Sequence, residues 1–283
     1  MSDTTPSWLT VRRGQAPLLV SLPHTGTDIP DKFAGDLVSP WLARKDADWW
    51  IDKLYDFAAD LDATVVHTAI SRTVIDVNRD PSGASLYPGQ ATTELVPMTT
   101  FDGEPLYRDG RTKLSPEDIA ARRTQYFEPY HAALSAEIAR LRQTHANIAL
   151  YDCHSIRSVI PRLFEGELPH FNLGTNKGAS CDPAYSDAIA RICAETNFSF
   201  VANGRFTGGW ITRRYGDPTG GVHAIQMEHA CRGYMVDPPG IVSPENWPSP
   251  YDTLYALPMR TALQDVLQAC LKLASSSTSG RPA

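Results

Sequence analysis

Short apolar runs recur along this chain, and several of them end in a residue that can bind a metal or a proton. The runs have the length of strands, and some are apolar at every position, which is typical of strands buried on both faces. Seven runs predict strands: LLVSL, TVVHTAI, TVIDV, IALYD, FNLGT, FSFVANG and VHAIQME. Helical patterns lie between them, so the chain predicts a mainly parallel or mixed sheet with helices on both faces.

Four segments have the spacing of amphipathic helices and begin with residues that favour helix starts. Asp48, Ser115 and Asp182 stand at the expected N-caps of the first three. The predicted helices run from about residue 49 to 61, 115 to 143, 182 to 196 and 254 to 274.

The length of 283 residues and the 42% apolar content suit one large α/β domain. We expect a single domain over residues 1–275 and a disordered tail over 276–283, where serine dominates. Residues 81–113 are rich in Gly, Pro and Thr and too long for an ordinary connection. This segment predicts an active-site loop or lid.

Composition excludes several classes of protein. A net charge of −6 without a basic block argues against a nucleic-acid partner. The five cysteines are scattered without a CxxC pair, so reduced thiols are expected. The N-terminus is polar, and no apolar run nears the roughly 20 residues of a membrane span, so we expect a cytoplasmic protein without a membrane partner. A monomer and a small homo-oligomer both remain open.

Polar residues at the ends of the predicted strands indicate the chemistry. His24 follows LLVSLP, Asp152 and His154 end or follow IALYD, and Glu228 follows AIQM. Side chains at strand ends converge in open α/β sheets, so these four are expected in one pocket. Two imidazoles and several carboxylates suit one divalent metal ion, most naturally Zn²⁺ with a position left for water. The sequence therefore predicts a metallohydrolase.

The chain resembles the N-formylglutamate amidohydrolase (deformylase) family along nearly its whole length. The resemblance rests on SLPHTGTDIP, DADWWIDKLY, SRTVIDVNRDPSG, LYPGQATTELVP, TFDGEPLY, DCHSI, LGTNKGASC and GGWITRRYGDPTGGVHAIQMEHACRGYM. It implies hydrolysis of N-formyl-L-glutamate to formate and L-glutamate, a terminal step of one histidine degradation route. It also implies a fold like that of the zinc carboxypeptidases and aspartoacylases.

The resemblance assigns roles to the strand-end residues. His24 and His154 become metal ligands, and Glu228 matches the general base of carboxypeptidase-like enzymes. Strand alternation directs Asp152 to the same side as His154, so its carboxylate is expected to orient an imidazole. His229 and Cys153 should point to the opposite side, which makes a structural role more natural for both.

The third metal ligand is harder to assign. Carboxypeptidase-like enzymes use an HxxE motif, but Thr27 stands three residues after His24, so the carboxylate must come from elsewhere. Asp48 is the choice, because it precedes the first predicted helix and heads the DWWIDKLY segment. The remaining alternatives are Asp28, Asp46 and Asp52.

Arginines are expected to bind the dicarboxylate substrate, because their planar forks match carboxylates. Asn78 and Arg79 resemble the Asn-Arg pair with which carboxypeptidases hold a terminal carboxylate. Arg72 resembles the arginine that polarises the scissile carbonyl. Arg213, or its neighbour Arg214, is the candidate for the side-chain carboxylate of glutamate.

Two other functions stay open. One is a zinc amidase for another N-acyl amino acid, or a carboxypeptidase-like peptidase, which would need an open groove instead of a closed pocket. The other is a non-catalytic protein that binds a small anion. The latter would have no use for the proton shuttle that Glu228 could provide.

Overall fold

A mixed β-sheet forms the centre of the molecule. The computed structural model describes residues 6–109, 111–238 and 240–276. Within these ranges the sheet has seven strands, in the order β1-β3-β2-β4-β7-β5-β6. They are β1 (Leu9–Arg12), β2 (Leu18–Leu22), β3 (Thr64–Thr68), β4 (Ile148–Ile156), β5 (Phe171–Gly174), β6 (Phe200–Ala202) and β7 (Val222–Ala230). The β1–β3 and β5–β7 pairs are antiparallel and the other neighbours are parallel, which confirms the predicted fold class.

Helices cover both faces of this sheet. Those described are α1 (Asp31–Ala34), α2 (Ile51–Leu54), α3 (Pro116–Arg122), α4 (Glu128–Arg142), α5 (Pro183–Ala194), α6 (Trp210–Tyr215) and α7 (Thr253–Ser276). As predicted, the side chains of Ser115 and Asp182 cap α3 and α5. One π-helical turn joins α3 to α4 directly before Pro129, where the proline removes a backbone donor.

Alternation along the central strands divides the core into two layers. Leu18 and Val20 of β2 pack in a cluster that includes residues of α2, α5 and α7. Leu19 between them packs in the other cluster, with residues of α4 and α6. All nine residues of β4 and of β7 are buried, as their continuous apolar runs predict. Burial of this kind contributes about 1.5–3 kcal/mol for each large apolar side chain and fixes the strands that carry the site.

Three local predictions are wrong. The single helix predicted over about residues 49–61 is divided into α2 and a 3-10 helix at Asp56–Ala59. Residues 73–77 (TVIDV) form turns instead of a strand. Val74, Ile75 and Val77 are buried against the α4 side of the sheet, while the Asp76 carboxylate contacts the His24 side chain. Asp48 does not cap α2, because Trp50 occupies that position in a left-handed conformation with φ 63°. The Asp48 carboxylate instead accepts from the backbone N–H of Ser155, 3.1 Å away.

Residues 81–113 have no helix or strand in their described part, and their role as an active-site loop or lid stays a prediction. Isolated bridges such as Thr99 to Pro105 provide their only regular pairing within that part. The predicted tail lies largely outside the described residues, and the domain boundaries stay a prediction. No helix within the described ranges has both the length and the apolar character needed to cross a bilayer.

Candidate active site

Three buried side chains meet at the C-terminal ends of β2 and β4. His24 lies two residues beyond β2, His154 lies within β4, and Asp48 is held beside His24 by a bond from its N–H to the His24 carbonyl at 3.0 Å. The two Nδ1 atoms are 3.1 Å apart. Asp48 Oδ2 lies 3.1 Å from Nδ1 of His154 and 3.7 Å from Nδ1 of His24. The three predicted ligands thus form one compact group.

A carboxylate holds the other nitrogen of each imidazole. Nε2 of His154 is 2.8 Å from Asp152 Oδ2, as predicted, and Nε2 of His24 is 2.7 Å from Asp76 Oδ1. Asp76 was not predicted as a site residue, because TVIDV has the pattern of a strand. A carboxylate that accepts a hydrogen bond from Nε2 favours the tautomer with the proton on Nε2. The lone pair of Nδ1 is then free to bind a metal.

The electrostatics of this group favour a positive charge. Burial alone would raise the pKa of Asp48, but hydrogen bonds with His154 and His24 outweigh it and lower that pKa. Burial would lower the pKa of His154, but Asp152 and Asp48 raise it well above its usual range. Two Nδ1 atoms and a carboxylate oxygen this close need a shared proton or a shared metal cation between them. The donor set fits a divalent metal ion of the zinc type.

Glu228 borders this group from the neighbouring strand. The parallel register pairs His154 of β4 with Glu228 of β7, which puts both side chains on one face of the sheet. Burial raises the pKa of Glu228 to about 7, against the opposing effect of the His154 charge. Gln226 donates to Glu228 Oε2 at 3.3 Å and accepts from the N–H of Gly209 at 2.7 Å.

Arg72 is buried beside the His-Asp-His group. Its Nη2 donates to Asp76 Oδ2 at 2.7 Å, and its Nη1 lies 3.5 Å from Asp48 Oδ1. The guanidinium carbon is 4.8 Å from the centre of the Phe101 ring, which covers it. Arg72 is therefore fixed by two carboxylates and one aromatic face.

A narrow cavity of about 50 Å³ opens onto these groups. Glycine at 209 leaves room for Asn78, whose side chain lies 2.4 Å from the position of a Cβ there. The residues that line the cavity are His24, Arg72, Asn78, Arg79, Tyr87, Ala91, Thr92, Thr93, Phe101, His154, Ile156, Leu163, Arg205, Phe206, Gly209, Gln226 and Glu228. Several of them belong to the predicted loop over 81–113, and the sequence did not indicate Arg205 or Phe206.

Asn78 and Arg79 both line the cavity. The Asn78 amide donates to Asp152 Oδ2 at 3.1 Å and accepts from the N–H of Ile211 at 2.8 Å, so it ties the site to α6. Arg79 donates from Nη2 to Thr93 Oγ1 at 3.1 Å and from Nε to the Thr93 carbonyl at 3.2 Å. Its Nη1 lies 3.7 Å from Asp76.

The other predicted arginines lie apart from the cavity lining. Arg213 donates from Nε to the Gly208 carbonyl at 2.9 Å and from Nη2 to Thr207 Oγ1 at 3.2 Å. Arg214 is exposed and lies beside the Tyr215 ring. Neither is among the residues that border the cavity.

The alternatives for the third ligand also lie apart from the two histidines. Asp28 and Asp52 are exposed. Asp46 is half-buried, and its carboxylate accepts from the Phe101 N–H at 2.6 Å and lies 3.7 Å from Arg157. Of these four aspartates, Asp48 alone belongs to the His-Asp-His group found among the described residues.

The residues expected on the opposite face are found there. His229 packs in the core with its Nε2 2.7 Å from the Tyr55 hydroxyl, and burial lowers its pKa to about 3. Cys153 belongs to the same buried cluster, and burial raises the pKa of its thiol well above the usual range. A thiolate nucleophile at Cys153 is therefore disfavoured.

Comparisons with known proteins agree with this architecture. Residues 16–235 match the family described as N-formylglutamate amidohydrolase. The chain is 46% identical to an N-formylglutamate deformylase of Pseudomonas putida, with 93% of this chain and 95% of that protein aligned. It is 43% identical to the deformylase of Pseudomonas aeruginosa, with 93% and 96% aligned.

Solved structures share the fold. A crystal structure of N-formylglutamate amidohydrolase from Ralstonia eutropha has a TM-score of 0.71 and 24% identity, and the match covers 94% of this chain and 96% of that one. A gene product from Agrobacterium tumefaciens has a TM-score of 0.70 at 16% identity, with 95% of each chain covered. The extent of the sequence matches supports one conclusion: this chain belongs to the N-formylglutamate amidohydrolase family.

Proposed function

We propose that this protein is a metal-dependent hydrolase that converts N-formyl-L-glutamate to formate and L-glutamate. The observation that carries the proposal is the buried group of His24, Asp48 and His154, with Glu228 in register beside it. The two Pseudomonas relatives, both described as N-formylglutamate deformylases, support the choice of substrate. We infer that the reaction ends one route of histidine degradation, as the family resemblance implies.

His24 and His154 would hold one divalent ion through Nδ1, and Asp48 would hold it through Oδ2. Asp76 and Asp152 would keep both imidazoles in the right tautomer through their bonds to Nε2. When bound, such an ion lowers the pKa of a water molecule and polarises a carbonyl oxygen. Zn²⁺ is the natural candidate for two imidazoles and a carboxylate.

Glu228 would act as the general base and then as the general acid. It would take a proton from the attacking water and deliver it to the nitrogen of the leaving amine. A pKa near 7 suits both steps, because the group can then gain and lose a proton at neutral pH. Gln226 restrains the carboxylate by donating to its Oε2 atom.

Arg72 would stabilise the negative charge that develops on the formyl oxygen as water attacks. Its guanidinium is held by Asp76 and Asp48 before the substrate arrives, so little reorganisation is needed during the reaction. Arg79 would bind the α-carboxylate at the side of the cavity nearest Asp76. Asn78 would support this subsite by linking Asp152 to the start of α6.

The narrow cavity favours a small acylated amino acid over a peptide, which needs an open groove. The decisive experiment is formate release by the purified, metal-analysed protein from a panel of N-formyl and N-acetyl amino acids. We expect the highest kcat/KM with N-formyl-L-glutamate. A higher kcat/KM for another N-acyl amino acid would reassign the substrate, and absence of turnover across the panel would refute an amidohydrolase.

A further inference from the structure

Arg205 is a third arginine in the cavity. It follows β6, after the turn at residues 203–204, and lies in the cavity lining with Arg72 and Arg79. Its Nε donates to the Leu163 carbonyl at 2.8 Å, and its Nη2 donates to the Ala91 carbonyl at 2.9 Å. Both anchors are neutral backbone groups.

The charge of Arg205 is not matched by an acid, in contrast to the other two arginines. Arg72 and Arg79 share the Asp76 carboxylate, at 2.7 and 3.7 Å. Among the described residues, no carboxylate lies within 4.0 Å of the Arg205 guanidinium. Burial and the nearby charge of Arg79 lower the pKa of Arg205, although Glu228 and Tyr87 act in the opposite direction. An anionic ligand would supply the missing counter-charge.

The guanidinium is also held in a defined position. Its central carbon lies 5.5 Å from the centre of the Tyr87 ring and 5.2 Å from that of Phe206. Tyr87 is itself fixed, because its hydroxyl donates to the Gly208 carbonyl at 3.0 Å. Arginine has five N–H donors, and the two backbone bonds leave three of them for a ligand. A positioned fork of this kind suits a carboxylate.

Arg213 lies near the Tyr87 ring as well, but its donors are used differently. Its guanidinium carbon is 5.2 Å from the centre of that ring, and its bonds go to Gly208 and Thr207. Arg213 therefore braces the loop that Tyr87 touches, whereas Arg205 lines the cavity itself.

We propose that Arg205 binds the side-chain carboxylate of the substrate and is the residue that selects glutamate over glutamine. This inference rests on the proposed function, in which Arg79 takes the α-carboxylate. The substrate then spans two cations, with its formamide at the metal group and Glu228. Arg205 is a specificity-determining residue and takes no part in bond cleavage.

The test compares kcat/KM for N-formyl-L-glutamate and N-formyl-L-glutamine in the wild type, Arg205→Gln and Arg205→Lys. Loss of a charge-assisted hydrogen bond should lower kcat/KM for formylglutamate by roughly 10- to 150-fold in Arg205→Gln. The value for formylglutamine should change less than about threefold, so the preference collapses. Arg205→Lys keeps the charge without the fork and should retain part of the preference.

Two further variants serve as controls. Arg213→Gln should keep the wild-type ratio between the two substrates. Arg191→Gln removes an exposed arginine on α5 and controls for the general loss of one positive charge. Thermal unfolding of each variant separates a folding defect at the Leu163 and Ala91 anchors from a loss of binding, and the lysine variant covers the case in which glutamine disrupts folding.

Binding of the product gives a readout that does not depend on turnover. Calorimetry with L-glutamate and L-glutamine should find discrimination in the wild type that is lost in Arg205→Gln. An unchanged substrate ratio in Arg205→Gln, an equal loss for both substrates, or a collapse confined to Arg213→Gln would each overturn the inference. A wild type that discriminates glutamate through Arg205 but releases no formate would refute only the proposed reaction.

Discussion

Asp76 and Asp152 each hold an imidazole of the proposed metal site, but their replacement by asparagine should have different consequences. Both variants keep an oxygen that can accept from Nε2 while losing the charge. We expect Asp76→Asn and Asp152→Asn each to weaken metal binding by about 10- to 100-fold, because outer carboxylates raise the basicity of the ligand.

Their effects on folding should differ because of Arg72. Asp76 is fully buried and also neutralises the buried Arg72 at 2.7 Å. An arginine stays charged in proteins, so Asp76→Asn removes the nearer of the two carboxylates beside Arg72 and leaves that buried charge only partly compensated by Asp48. A broken buried pair costs up to about 3–5 kcal/mol. Asp152 serves His154, which can release its proton when its partner is neutral. The loss there should be about 1–3 kcal/mol.

Urea unfolding in the presence of a chelator measures the free energy of unfolding without metal, and competition with a chelating dye measures metal affinity. The expected pattern is similar loss of affinity in both variants and greater loss of stability in Asp76→Asn. Equal destabilisation of Asp152→Asn and Asp76→Asn, or wild-type metal binding by either variant, would contradict these roles.

Three further predictions follow from the site and the core. Glu228→Gln should keep fold and metal while turnover falls by about 10²- to 10⁴-fold, and near-normal turnover would remove Glu228 as the base. Phe101→Ala should shift the ratio of kcat/KM between N-acetyl- and N-formylglutamate toward the acetyl substrate by about tenfold, because the ring covers Arg72; an unchanged ratio would mean that the acyl group binds elsewhere. Burial lowers the pKa of His131 from 6.5 to about 4, so the unfolded state takes up its proton first and stability should fall as pH drops across that interval, by at most about 3 kcal/mol. His131→Gln should lack this part of the pH dependence in urea unfolding, and an identical slope would contradict the argument.

Much of the fold could be predicted because the central strands are buried on both faces and begin with runs of mainly apolar residues. Their polar ends brought His24, His154 and Glu228 to attention. Asp48 was also selected, although the expected helix cap is not there and the carboxylate faces His154 instead.

What could not be predicted depends on tertiary contacts. Asp76 lies in TVIDV, a mainly apolar run of strand length, and only the folded chain brings it to His24. Arg205 follows a short strand without a motif, whereas Arg213 stands in a conspicuous one. The two arginines differ in the hydrogen-bond partners of their guanidinium groups and in whether they line the cavity. The amino-acid sequence does not show either difference.

The long ladder between β4 and β7 has a consequence for how errors would reach the active site. Nine consecutive pairs, from Ile148 with Val222 to Ile156 with Ala230, hold His154 opposite Glu228. A shift of the pairing by one residue would turn every side chain of one strand to the opposite face. A shift that pairs His154 with His229 would exchange the proton shuttle for an imidazole that contacts Tyr55 in the core. The apolar residues of these strands therefore fix the register that aligns His154 with Glu228. A packing error at the other end of the ladder would then misplace a catalytic group.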